Sequence, residues 1–117
     1  MNGLVKGNIE KLTIKNKNYR KVISTTRQSQ LVLMNLISGQ DIGMEAHPHT
    51  TQFIRVEKGT GTAVIDNKIF HLKEGDFIIV PSGSYHNITA GRLGLKLYTI
   101  YSPPEHRPGT VEKTKIR

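Results

Sequence analysis

Five histidines and no cysteine set the terms for any chemistry this chain performs. Without thiols there is no zinc finger, disulfide framework or sulfur nucleophile, so a bound metal must take nitrogen and oxygen ligands. Two of the histidines, His47 and His49, follow Glu45 at intervals of two. In a strand, residues two apart point to the same face, which predicts that Glu45, His47 and His49 look the same way. Three such side chains on one inward face are costly unless they are used. Gln52, beyond an expected turn at Thr50-Thr51, can bring an amide oxygen back toward them, and His86 can close the group from a distant strand. Imidazole ligands are oriented through their second nitrogen, and Tyr85, Asn87 and Thr51 are the nearest candidates for that role. His71, between Phe70 and Leu72, reads as an ordinary strand residue, His106 as part of a tail, and Asp76 as a turn former.

The frame that must position these residues is all-β. Pro, Gly, Asn and Asp interrupt the chain roughly every ten residues, and the segments between them alternate or are rich in Val, Ile, Thr and aromatics. Strands are predicted over residues 19–23, 30–37, 45–49, 53–57, 62–65, 69–72, 77–80, 85–88 and 95–101. Asp66-Asn67 reads as a two-residue hairpin turn, and Gly59-Thr60-Gly61 as a second tight connection. No stretch sustains a helical period; the nearest, residues 8–17, is short and contains β-branched Thr13 and Ile14. So many short strands in one small domain suggest a two-sheet sandwich or a small barrel.

Residues 39–59, GQDIGMEAHPHTTQFIRVEKG, and residues 75–87, GDFIIVPSGSYHN, carry a more specific message. Together they resemble the two signature motifs of the cupin superfamily. In the second, Gly75, Pro81, Gly83 and His86 meet every spacing, although Ala90 stands where the motif usually closes on Asn and Asn87 lies nearby. In the first, anchoring on Gly39 and Gly59 puts Glu45 and His47 at the two histidine positions and Gln52 at the glutamate position. Anchoring on the literal His47-Pro48-His49 leaves one residue too few before Gln52. The resemblance, over about residues 30–102, implies a single-domain jelly-roll barrel, or double-stranded β-helix, over 29–102. A short basic N-terminal extension, 1–28, would pack on it and a basic tail, 103–117, would follow. It implies one divalent ion per chain (Fe, Mn, Zn, Ni or Co) on Glu45, His47, Gln52 and His86, with His49 as a possible additional ligand. His47, His86 and Glu45 have the composition of the facial triad that holds non-haem Fe(II) with open positions. Small bacterial cupins of this kind are often labelled by loose analogy with phosphomannose isomerase.

Composition narrows the function classes. The net charge of +8 sits at the ends. Residues 1–28 hold seven Lys and Arg against one acid and residues 107–117 four against one, whereas 29–106 hold six against seven. A nucleic-acid reader would carry its basic residues on an element that also reads bases, and none is apparent, so no nucleic-acid partner is expected. No apolar run approaches the roughly 18 residues that span a bilayer, and the first ten residues lack an apolar signal core, so a soluble, cytoplasmic protein is expected. The expected function is a metalloenzyme acting on a small polar molecule, by sugar or sugar phosphate isomerisation or by oxygenase-type chemistry. The alternatives are a non-catalytic barrel that holds a small ligand or senses a metal and, third, a basic nucleic-acid-associated protein. The apolar segments 30–37 and 95–101, read as edge strands, predict a two-fold homodimer.

Overall fold

The computed structural model describes residues 3–115. A short helix α1 (Ile9–Lys15) precedes strands β1 (Arg20–Thr25), β2 (Gln30–Leu36), β3 (Thr51–Ile65), β4 (Lys68–Leu72), β5 (Phe77–Val80), β6 (His86–Ser102) and β7 (Val111–Glu112). β3 and β6 pair antiparallel from Thr51 opposite Ser102 to Ile65 opposite His86, and the register slips at residues 56–58 and 59–61. Before the slip, β3 lies between β5 and the C-terminal half of β6, and the sheet continues through β2 and β1 to β7. After it, β3 lies between β4 and the N-terminal half of β6. The sheet thus folds over on itself as a jelly-roll barrel. Its interior is filled by alternate residues of each strand: Val32, Met34 and Leu36 from β2, Ile54, Val56 and Ala63 from β3, Ile88, Leu95, Leu97 and Tyr101 from β6. Each buried Leu or Ile contributes about 1.5–3 kcal/mol, so this cluster holds the two leaves together.

Several expected elements take a different form. Residues 53–57 and 62–65 are one strand, as are 85–88 and 95–101. Gly59-Thr60-Gly61 is the bend inside β3 and not a connection between strands: Gly59 has φ +92°, and a Cβ there would fall 2.1 Å from the Gly94 carbonyl oxygen. Glycine is needed so that the long strands can touch where they fold over. Asp66 and Asn67 take the positive φ expected of a hairpin turn, +46° and +69°.

The predicted strand 45–49 does not form. Glu45 makes a single bridge to His86, and the chain then turns, with Thr50 N donating to the His47 carbonyl at 3.4 Å. The helix α1 was not visible in the apolar pattern because it spans two turns and buries Thr13 alone. Its ends hold it: the Asn8 side chain accepts from Lys11 N at 3.0 Å, Glu10 lies in the first turn and Lys15 in the last, and both charges complement the helix dipole. Segments 30–37 and 95–101 are not edges. β2 is flanked by β6 and β1, and the C-terminal half of β6 by β3 and β2, so the N-terminal region covers the edge that the dimer expectation relied on.

Candidate metal centre

The ends of the long strands meet at the end of the barrel away from the bend at Gly59, and the ligand-type residues gather there. His86 opens β6 and Gln52 lies near the start of β3, both pointing inward and buried. Glu45 is joined to His86 by two backbone hydrogen bonds, Glu45 N to His86 O at 2.9 Å and His86 N to Glu45 O at 2.8 Å. The loop carrying Glu45 is fixed by Asn87, whose Oδ1 accepts from Gly43 N at 2.9 Å and whose Nδ2 donates to Asp41 at 3.0 Å. His47 sits two residues on, with its carbonyl accepting from Gly83 N at 2.8 Å.

These constraints bring one ligand atom each from Glu45, His47 and His86 within 4.8 Å of one another. Glu45 Oε1 lies 3.3 Å from His47 Nε2 and 3.7 Å from His86 Nε2. Both Nε2 atoms are buried and have no hydrogen-bond partner. Of the other ring nitrogens, His86 Nδ1 is hydrogen-bonded to the Ser84 carbonyl oxygen at 3.0 Å, and His47 Nδ1 lies 3.2 Å from Glu105 Oε2. The Ser84 carbonyl can only accept, so the neutral His86 ring carries its proton on Nδ1 and turns the bare lone pair of Nε2 toward Glu45, whereas His47 stands between two carboxylates, Glu105 beside Nδ1 and Glu45 beside Nε2. Lone pairs facing a carboxylate at these distances are unfavourable until a cation stands between them.

The electrostatics favour a positive charge between these groups. Burial lowers the His86 imidazole, but the Glu45 carboxylate and the Ser84 carbonyl outweigh it and hold it above its ordinary value. Burial raises the Glu45 carboxyl, and His86, His47 and Arg20 reverse this to hold it below. Glu45 is therefore a carboxylate at neutral pH, as a ligand must be. Gln52 Nε2 donates to Thr99 Oγ1 at 3.0 Å, which leaves its buried amide oxygen unpartnered. The residues present fit a divalent cation: two imidazole nitrogens and a carboxylate oxygen converge, and the unpartnered amide oxygen of Gln52 is buried at the same end of the barrel.

His49 is not part of this group. It follows Pro48 on the exposed side of the turn, because the chain there is not a strand and the two-residue alternation ends at His47. Tyr85 and Thr51 are exposed and hold neither ring, and Asn87 supports the Glu45 loop and not a histidine. His71 is exposed on β4 as expected, and Asp76 caps its turn by accepting from Lys73 N at 2.9 Å. His106 is not a free tail residue: its Nε2 is 3.3 Å from the Tyr101 hydroxyl, and burial pushes its imidazole down to about 4. The residues that sequence reasoning missed are Glu105, the Ser84 carbonyl, Tyr101 and Gln30. Gln30 and Tyr101 left a signal, since Gln30 is in phase with inward-facing Val32 and Met34 and Tyr101 with inward-facing Leu95 and Leu97. Nothing in PPEHRPG announces that Glu105 returns to the barrel.

Comparison with known proteins gives a consistent picture. The family model of the cupin domain named Cupin_2 matches residues 32–101. The uncharacterized protein YrkC of Bacillus subtilis (strain 168) is 41% identical over 115 residues, 92% of this chain, and the chain spans 62% of that relative's length. The uncharacterized protein L612 of Acanthamoeba polyphaga mimivirus is 45% identical over 111 residues, covering 90% of this chain and 69% of that protein. The crystal structure of BH2720 from Bacillus halodurans superposes with a TM-score of 0.90 at 39% identity, covering 93% of this chain and 88% of that one.

Proposed function

The chain belongs to the cupin domain family, and from that premise we propose that it holds one divalent ion on Glu45, His47, His86 and Gln52 and uses it on a small polar molecule. The observation that carries this reading is the pair of buried, unpartnered Nε2 atoms turned toward one carboxylate. A bound ion supplies Lewis acidity there, polarising an oxygen of the molecule that reaches it.

The chain's own residues prepare the rest. Glu45 is about a third exposed whereas both imidazoles are buried, so the approach from solvent passes beside its carboxylate. Burial raises the Tyr101 phenol well above its ordinary value, so its proton stays on the hydroxyl oxygen. His106, neutral at physiological pH, can accept that proton's hydrogen bond at Nε2. No helix among the described residues is long and apolar enough to cross a membrane.

Elemental analysis of protein purified without chelator or histidine tag tests the reading, with about one divalent ion per chain expected. Glu45→Ala should weaken binding far more than His49→Ala; the reverse order would show that the ligands are misassigned. Turnover of sugars, sugar phosphates, keto acids or phenolic compounds by the Fe or Mn form then separates an enzyme from a binding module. A two-fold homodimer belongs to the same proposal, packed through the outer face where Phe77 and Ile79 stand exposed and Phe77 stacks on Phe53. Light scattering that gives only the 13.1 kDa chain would remove it.

A further inference from the structure

We infer that Glu105, in the segment after β6, is a positioning residue for His47: its carboxylate accepts from Nδ1 and so holds the ring with Nε2 turned toward Glu45 and His86. The inference rests on reading that group as a metal site. Glu105 lies outside residues 32–101, which carry the family match.

Four observations place Glu105 firmly enough for this role. The first is the contact itself, 3.2 Å from Oε2 to Nδ1 of a ring whose side chain is only 6% exposed. The second is a clasp made by Gln30, which is 1% exposed. Its Oε1 accepts from Glu105 N at 3.1 Å and His106 N at 2.9 Å, and its Nε2 donates to the His106 carbonyl at 2.7 Å and to Thr25 Oγ1 at 2.9 Å. One buried amide thereby fixes the backbone of residues 105 and 106 to β2 with its full hydrogen-bonding capacity. The third is the residue that follows: the His106 ring lies edge-on to Tyr101 at 5.1 Å, and Tyr101 lies edge-on to His47 at 5.7 Å. The fourth is the far end of the segment, where β7 pairs with β1 and Glu112 forms an ion pair with Arg20.

A carboxylate bonded to the remote nitrogen of a ligating histidine fixes its tautomer, restrains its rotation and raises its basicity toward a metal. His47 needs such a partner more than His86 does, because it stands on a turn with no ladder to hold it. The segment after the barrel is therefore part of the site, and its docking and ion binding are coupled.

The test uses the full chain at about pH 8, where free imidazole is neutral. Side-chain 1H–15N correlation spectra without added metal read which nitrogen of His47 carries the proton, and titration with Ni(II) or Mn(II) reads affinity. Wild-type His47 is expected as the Nδ1–H tautomer. Glu105→Ala should move it toward Nε2–H and weaken ion binding roughly 10- to 100-fold. Glu105→Gln keeps an acceptor oxygen without the charge, so it should restore most of the tautomer and lose less affinity. Unchanged affinity in Glu105→Ala, or a loss of affinity with the His47 tautomer unmoved, overturns the inference and leaves the metal reading standing. A wild-type chain that takes up neither of these ions, nor Fe(II), Co(II) or Zn(II), overturns the metal reading and this inference with it. Should Glu105→Ala fail to fold, Glu105→Gln carries both readouts: affinity and tautomer both identical to wild type overturn the role of the charge.

Discussion

Two corners of the barrel mouth present an imidazole to the same point and support it in opposite ways. At one, His86 opens β6 with backbone pairing to Ile65 on one side and Glu45 on the other, and its Nδ1 is held by the carbonyl two residues upstream. At the other, His47 lies on a turn, and its ring is held by a carboxylate from the far end of the chain. The local arrangement forms as soon as the strand does. The distant one requires a long loop to close first, at an entropic cost that must be met by the Gln30 clasp, the His106 packing and β7. What the difference teaches is that the three side chains of the candidate site are not positioned alike: one imidazole is secured by the sheet, the other by the docking of residues 103–112.

Breaking the distant support should have the larger effect. Gln30→Ala strands the N–H groups of Glu105 and His106 and the His106 carbonyl beside the barrel. Leaving buried polar groups unpaired costs about 1–3 kcal/mol each, part of which water recovers at this half-open segment. The expected outcome is a fall in stability of that order in chemical denaturation, with a weaker metal affinity. His47 side-chain resonances should shift while those of His86 stay in place. Equal shifts in both rings would show that the two corners are one unit.

The same contrast explains what could be read in advance. The spacing of Gly75, Pro81, Gly83 and His86 makes the place of His86 legible at the start of a strand, though not the Ser84 carbonyl that holds its ring. The barrel was legible too, since alternation along β2, β3 and β6 marks their inner faces. What failed was any inference that needed a strand to be straight or a contact to be local. Residues 45–49 alternate like a strand, yet pairing stops after Glu45, so His49 was placed with His47 on a periodicity the backbone does not keep. The bend at Gly59 looked like a turn because glycine signals both. Glu105 was silent, since no pattern in a sequence reports which distant surface a polar segment settles on.

Acid should act on the two corners with opposite sign. Burial holds His106 at about 4, below the roughly 6.5 of a free imidazole, so between these values the unfolded chain binds more protons. Its contribution is complete above about pH 6.5 and is lost as pH falls toward about 4, which loosens the segment that carries Glu105. His86 is held above its ordinary value, so its contribution is complete below about pH 6.5 and is lost as pH rises through its folded value. Hydrogen exchange of the chain without added metal, taken from about pH 7 to pH 5 and corrected for the intrinsic rates, should show residues 103–112 losing protection while the start of β6 keeps it. Both regions losing protection in step would contradict this.

The smallest expected effect is the sharpest probe of how His86 is held. The group that accepts from its Nδ1 is the main-chain carbonyl of Ser84, in a turn closed by Ser84 N donating to the Pro81 carbonyl at 3.2 Å, with Gly83 at φ +86°. Alanine retains that carbonyl and fits the same backbone. Ser84→Ala should therefore leave divalent affinity within about twofold of wild type, against the 10- to 100-fold loss expected when the side chain that holds His47 is removed. One substitution spares the group that faces Nδ1 and the other removes it, so their ratio measures the difference between backbone and side-chain support. An affinity loss in Ser84→Ala comparable to that in Glu105→Ala would mean that the serine hydroxyl, and not the turn, orients His86.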